Sequence, residues 1–146
     1  MEKLVVLHCS DSSYGNAELL GSWHRAKGWN ELGYHFVVLN GKIDTNPYDS
    51  FYDGLIETGR HILEDGAHVK GFNEGSIGVC LIGNSGKFTD VQLNKVKQLL
   101  LILYTKFGVL DVKQHSDLDP VNKSFCAGLS QSFIDGLNYE FGKNKE

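Results

Sequence analysis

Lys3-Leu4-Val5-Val6-Leu7-His8 is the stretch that decides the fold, because Leu and Val fill four consecutive positions before the histidine. A short apolar run without polar alternation is typical of a central strand that is buried on both faces of a sheet. Residues 76–82 form a second such run, and residues 35–39 have the composition of a third strand. We therefore expect a sheet at the centre of the molecule.

Helices are predicted on both sides of these strands, each with a capping residue at its start. The longest is expected over residues 90–107, where apolar residues recur at helical spacing. The predicted caps are Asn16 for a first helix, Thr89 with Gln92 as a capping box for the longest helix, and Ser130 for the last helix; Gly28 and Gly108 are expected to end the first two.

Two glycine dipeptides, Asn40-Gly41 and Asp53-Gly54, have the composition of tight turns. We expect one of them to close a hairpin with residues 55–58. Together the elements predict an α/β fold, a single domain over residues 1–146 with a central mixed β-sheet flanked by helices. A chain of 146 residues is long enough to bury a substantial core.

Composition argues against two classes of partner. The net charge is −4 and the basic residues are scattered, which does not favour nucleic-acid binding. No stretch approaches the ~20 apolar residues that a membrane-spanning helix requires. The N-terminal apolar run is too short for a signal peptide, so we expect synthesis in the cytoplasm and no membrane insertion.

His8, His115 and Cys126 are candidate metal ligands. His8 ends the first strand, and the other two lie in a polar segment that follows a short strand near Val112. Two imidazoles and one thiolate suit zinc, and three protein ligands leave a fourth tetrahedral position for water, as in catalytic zinc sites. A single histidine is more often a surface or hydrogen-bonded residue, and the spacing includes no compact metal motif.

Five other histidines and cysteines are assigned structural or open interpretations. Alternation along a strand turns Cys9 away from His8, so we expect it in the core. Cys80 is expected to pack in its strand, His24 and His35 to be structural, and His61 has no assigned role.

Several motifs, in order over residues 4–135, resemble the type 2 N-acetylmuramoyl-L-alanine amidases, a family that includes short phage endolysins and shares its fold with peptidoglycan recognition proteins. The motifs that carry the resemblance are Leu7-His8-Cys9-Ser10, Trp23-His24-Arg25, Gly33-Tyr34-His35-Phe36, Gly66-Ala67-His68, Asn73, Ser76-Ile77-Gly78-Val79-Cys80-Leu81-Ile82-Gly83, His115-Ser116-Asp117-Leu118-Asp119-Pro120 and Lys123 with Cys126-Ala127-Gly128.

The resemblance implies a zinc-dependent enzyme that hydrolyses the amide between N-acetylmuramic acid and L-alanine in bacterial peptidoglycan. It places His8, His115 and Cys126 on the family's zinc ligands, Tyr34 on its catalytic tyrosine and Lys123 near its catalytic lysine, with His68 near the cleft as a substrate-binding residue. The family usually has its lysine two positions before the cysteine, where this chain has Ser124, and commonly has proline where this chain has Ala127.

Three functional classes are compatible with these residues. The leading one is a phage endolysin that acts on the cell wall after release. The second is a non-catalytic peptidoglycan-binding module, which retention of Cys126 disfavours. The third is a protein regulator, because one phage relative also inhibits an RNA polymerase. Residues 40–52, with three aromatic side chains, are either a wall of the substrate cleft or a surface loop that packs back onto the sheet.

Overall fold

The computed structural model describes residues 2–28 and 31–142, and within them five strands form one sheet. The sheet order is β3-β2-β4-β1-β5; β2 and β3 are antiparallel, and the other neighbours are parallel. This confirms the predicted mixed sheet. The strands are β1 (Lys3–Cys9), β2 (Phe36–Asn40), β3 (Asp53–Thr58), β4 (Ile77–Leu81) and β5 (Leu110–Gln114).

Strand β1 lies between β4 and β5, as its apolar run predicts. Val5, Val6 and Leu7 have no exposed surface, so both faces of the strand are covered. Parallel pairing sets Leu7 beside Gln114 of β5 and His8 beside Cys80 of β4. The carboxyl ends of these three strands therefore meet at one edge of the sheet.

The predicted helices form with the predicted caps. The side chains of Asn16, Thr89 and Ser130 each accept a backbone N–H from the first turn of their helix, and the Gln92 side chain completes the capping box. The helices are α1 (Ala17–Ala26), α2 (Asp90–Phe107), α3 (His115–Leu118) and α4 (Gln131–Phe141), with a short 3-10 helix at Ser50–Tyr52.

Two apolar clusters pack on opposite faces of the sheet. The larger joins α2 and α4 to the sheet through residues such as Leu100, Leu137 and Leu7. The smaller joins α1 to the other face through Leu20 and Cys80. Helices therefore cover both faces, which leaves the edge at the strands' carboxyl ends as the place for a cleft.

Residues 55–58 pair with β2 in a hairpin, as predicted, but neither glycine dipeptide closes it as a two-residue turn. Residues 41–52 connect β2 to β3, and Gly54 lies inside β3 with a φ of +81°. The register of the pair shifts between Val38 and Asn40, opposite this glycine. Glycine with a positive φ occurs both in tight turns and in β-bulges, so the Asp53-Gly54 dipeptide alone did not show which of the two structures would form.

The polar segment after β5 begins with a short helix, α3, whose first residue is His115. The N-cap residue is Gln114, whose backbone N–H donates to the carboxylate of Asp117 in the first turn, while its side chain pairs with the backbone of Leu129. A rigid turn thus fixes the direction of the His115 side chain. Among the described helices, none is long and apolar enough to cross a membrane.

Candidate active site

Three candidate ligands converge at the edge of the sheet. His8 ends β1, His115 follows the neighbouring β5, and Cys126 approaches from the segment after α3. Their ligand atoms all lie within 4.8 Å of one another, and the two Nδ1 atoms are 3.0 Å apart. Folding therefore brings His8 next to two residues that follow it by more than a hundred positions, and their role as metal ligands stays a prediction.

The donor set fits zinc. Zn–N bonds of about 2.0–2.1 Å at a tetrahedral angle place two imidazole nitrogens about 3.3 Å apart, close to the observed separation. Burial, followed by the proximity of His68 and His115, holds the pKa of His8 well below its usual value, and burial likewise lowers the pKa of His115. Both rings are therefore neutral near pH 7, the form that binds a metal.

Backbone hydrogen bonds hold Cys126 in place. Its carbonyl accepts the N–H of Ser116 at the start of α3, and its N–H donates to the carbonyl of Lys123. The backbone N–H of Cys9 donates to Cys126 Sγ over 3.1 Å. Contact with the Cys9 side chain, and then burial, raise the pKa of Cys126, so metal binding must displace the thiol proton.

Cys9 is buried, as predicted, and it also lies next to the candidate site. It borders the cavities around the ligands and contacts Cys126. The reason is its position at the last residue of β1, where the segment carrying Cys126 runs past the end of the strand. Alternation therefore separates the side chains of Cys9 and His8 without separating Cys9 from the site.

Tyr34 stands beside the ligands. Its ring centroid lies 5.0 Å from that of His8 and 5.6 Å from that of His24. Burial, with the neighbouring thiols of Cys80 and Cys126, raises the Tyr34 pKa well above its usual value, so the hydroxyl is a neutral donor. Cys80 is fully buried in the core, as predicted, and its thiol is near enough to Tyr34 to contribute to the raised pKa of the hydroxyl.

Lys123 is exposed and borders both cavities at the site. Ser124, which occupies the family's usual lysine position, borders only the smaller one. The backbone N–H of Lys123 donates to the carbonyl of Asp119, so the segment folds back toward α3. The shifted lysine thus remains at the rim of the site.

His68 is buried, with one ring nitrogen against His8 and the other against Ser76.

The other three histidines are His24, His35 and His61, and none of them belongs to the group of candidate metal ligands. His35 accepts the N–H of Gly78 and is paired with the carbonyl of Glu64, as expected for a structural residue. His24 is buried and accepts the N–H of Gly33, and His61 is exposed.

A cleft leads to the ligands from one side. Its volume is about 930 Å³, and its walls come from the segment after β1, from α1 and from residues 67–73. A smaller cavity of about 240 Å³ lies toward Ser85 and Phe125. Both are bordered by Tyr34 and His115. Residues 40–52 border neither of these two cavities, which supports their interpretation as a surface loop.

Sequence reasoning gave no role to Ser76 and Asn73, although both lie in the motifs that carry the resemblance. Ser76 contacts the His68 ring, and the Asn73 side chain accepts the backbone N–H groups of His68 and Val69. Ser76 and Asn73 act through contacts with His68 that form only when the chain folds, so the local sequence did not indicate these contacts.

Comparisons with known proteins agree with this geometry. The N-acetylmuramoyl-L-alanine amidase family model matches residues 2–127. The endolysins of Enterobacteria phage T3 and Escherichia phage T7 are 33% and 32% identical over 126 residues, which cover 80% of this chain and 76% of each relative.

Solved structures show the same fold. The amidase LysC from Clostridium intestinale URNW superposes with a TM-score of 0.76 at 23% identity, covering 95% of this chain and 84% of that one. Wild-type PGRP-LB of Drosophila superposes with a TM-score of 0.69 at 20% identity, covering 96% and 81%. The chain therefore belongs to the N-acetylmuramoyl-L-alanine amidase family, as its motifs indicated, and is an amidase of bacterial peptidoglycan.

Proposed function

We propose that this amidase is a phage endolysin that uses zinc, held by His8, His115 and Cys126, to release the stem peptide from the glycan strand. The observation that carries the proposal is the convergence of the three ligand atoms within 4.8 Å of one another, next to a cleft that His115 lines. A zinc ion bound there supplies Lewis-acid chemistry: it activates water near neutral pH and polarises an amide carbonyl.

Tyr34 is proposed as a catalytic hydrogen-bond donor. Its hydroxyl remains protonated because burial and the neighbouring thiols raise its pKa. A neutral donor fixed beside the ligands can stabilise the negative charge that develops on the amide oxygen. The rings of His8 and His24 hold the phenol from two sides, so the donor is oriented before substrate arrives.

Lys123 is proposed as a second catalytic residue that contributes positive charge. Its position at both cavities allows the ammonium to approach the same oxygen from the rim. A mobile ammonium orients less well than a fixed phenol, so its contribution should be smaller than that of Tyr34. We therefore expect Tyr34 to contribute more than Lys123 to stabilising the negative charge on the amide oxygen.

The shape of the site suits a branched polymer. The two cavities meet at Tyr34 and His115, so a substrate that crosses the ligands has room on both sides of the bond to be cut. In peptidoglycan the scissile amide joins a sugar strand to a peptide, and each part would occupy one cavity. The complete set of three ligands favours this enzyme over a non-catalytic peptidoglycan-binding module.

The endolysin assignment rests on the relatives. Phage proteins named endolysins match most of this chain, so we propose synthesis in the host cytoplasm and action on the cell wall after release. Contact with an RNA polymerase stays a prediction of the family resemblance.

Metal analysis of the purified protein tests the zinc site. We expect about one zinc per chain, lost with the activity on treatment with a strong chelator and restored by added zinc. The variant C126S should bind zinc much more weakly, because it replaces a thiolate ligand with a hydroxyl. The variant C80A changes a buried cysteine outside the ligand set and should keep its zinc. Full activity in excess chelator would overturn the proposal.

A further inference from the structure

A chain of hydrogen bonds leads from the ligand His8 into the protein interior. His8 Nε2 lies 2.9 Å from His68 Nδ1, and His68 Nε2 lies 3.0 Å from the hydroxyl of Ser76. The Ser76 hydroxyl donates in turn to the carbonyl of Asn73. His68 and Ser76 are 8% and 3% exposed, so the chain is shielded from water.

The carbonyl of Asn73 can only accept a hydrogen bond, and this end of the chain favours one direction for all of its protons. A hydroxyl has one proton, and that of Ser76 is given to the carbonyl of Asn73, so Ser76 accepts from His68 Nε2. A neutral His68 that is protonated on Nε2 has a free lone pair on Nδ1. That lone pair accepts a hydrogen bond from the N–H of His8 Nε2, which leaves His8 Nδ1 unprotonated and facing His115 Nδ1.

The surroundings of His68 hold its ring in this position. The Asn73 side chain accepts the backbone N–H of His68 over 2.8 Å. Gly78 gives the ring its space, because a Cβ atom at that position would lie 2.6 Å from His68 Cγ. The ring therefore rests against the backbone of β4, with both nitrogens occupied by protein groups.

We propose that His68 is a positioning residue that holds His8 in the tautomer whose Nδ1 binds the metal, and that Ser76 selects the tautomer of His68. This inference rests on the proposed zinc site. A hydrogen bond from the far side of a ligating imidazole orients the ring and increases its basicity toward the metal. Removal of such partners typically weakens metal binding about 10–100-fold.

The proposal differs from the expectation that His68 binds substrate. A substrate contact requires a free polar atom facing the cleft, whereas both nitrogens of His68 already have partners. A positioning residue affects the zinc Kd first, and a substrate contact affects KM with the zinc Kd unchanged. The two roles are therefore separable by measurement.

A matched pair of variants provides the test. H68N keeps an acceptor near the position of Nδ1, and H68L has a similar shape without the acceptor. Zinc Kd values should be measured by competition with a chromophoric chelator, with folding checked by circular dichroism. We expect H68L to weaken zinc binding about 10–100-fold and H68N to recover most of the loss. H61L, at an exposed histidine, is the control and should bind zinc normally.

Nitrogen-15 NMR of the zinc-loaded wild-type protein tests the proton positions without any substitution. We expect the protons of His8 and His68 both on Nε2. A proton on Nδ1 of His68 would overturn the proposal, and so would a zinc Kd of folded H68L equal to that of the wild type, with a raised KM indicating substrate contact instead. If the wild-type protein binds no zinc, the proposed function itself fails, which is a distinct result.

Discussion

Replacing Tyr34 with phenylalanine isolates the proposed role of one hydroxyl group. The ring packs against His8 and His24 through its faces and edges, and Y34F keeps those contacts. The hydroxyl is not among the candidate ligand atoms. We therefore expect Y34F to fold, to bind zinc with unchanged affinity and to lose turnover.

The expected decrease in the kcat of Y34F is estimated from the environment of the Tyr34 hydroxyl. Burial, followed by the thiols of Cys80 and Cys126, raises the Tyr34 pKa well above its usual value, so the lost group is a neutral donor in a partly dehydrated site. Removing one such donor to a developing oxyanion costs about 2.7–4 kcal/mol, or about 10²–10³ in kcat. Since Tyr34 does not titrate near neutral pH, the pH profile of the remaining activity should keep its shape.

The assay is release of free amines from purified peptidoglycan, with zinc content measured on the same samples. Y14F is the control, because Tyr14 also borders the cleft but lies against Trp23 rather than the ligands. We expect Y14F to keep kcat within a few-fold of the wild type. A zinc-loaded Y34F with normal kcat would refute the catalytic role, and a Y34F that has lost its zinc would show that the tyrosine acts on the metal site.

Three further changes test other parts of the structure. K123A should lower kcat by less than Y34F does, with zinc content unchanged. The control is K70A, at another lysine that lines the cleft, and it should leave kcat near normal. Equal rates for K123A and the wild type would show that Lys123 has no catalytic role. Q92M should lower the free energy of unfolding in urea by about 3 kcal/mol. The buried amide donates to the carbonyls of Val38 and Ile82 and accepts the N–H of Thr89. The Val38 carbonyl keeps the N–H of Ile82 as a partner, but the other two groups lose the Gln92 bond, at about 1–3 kcal/mol each. A change below about 1 kcal/mol would contradict this. Burial lowers the pKa of His35, so below the unfolded value of 6.5 the unfolded chain takes up a proton that the folded protein does not. The metal-free protein should lose stability as pH falls through that range, and H35Q should lose up to about 1.4 kcal/mol less per pH unit; parallel stability curves for the two proteins would show that His35 does not contribute.

The sequence predicted those parts of the fold that depend on local interactions. The apolar run of β1 and the caps at Asn16 and Thr89 act within a few residues, so their signals were complete in the sequence. The Asp53-Gly54 dipeptide was misassigned because the preference of glycine for positive φ does not distinguish a turn from a bulge. Only the pairing of β3 with β2 decides between them.

The sequence indicated the candidate metal ligands, but it did not indicate how the residues around them are arranged. The family motifs indicated three candidate ligands. The spacing along the chain did not, because His8 and His115 come together only when the adjacent parallel strands β1 and β5 pair. The surroundings of the ligands were missed where they depend on tertiary structure. Cys9 touches Cys126 across the end of a strand, and His68 has both ring nitrogens occupied only after β4 and the segment before it have folded.

The bond that is cut is the most direct test of the central claim. Purified peptidoglycan should be digested with the zinc-loaded protein, and new amino groups on L-alanine and new reducing sugar ends should be counted in the same digest. Amide hydrolysis predicts a rise in free alanine amines that parallels the loss of turbidity, with no increase in reducing ends. A glycosidase would require two carboxylates flanking a sugar bond. Reducing ends that appear without new alanine amines would contradict the assignment of this protein as an amidase.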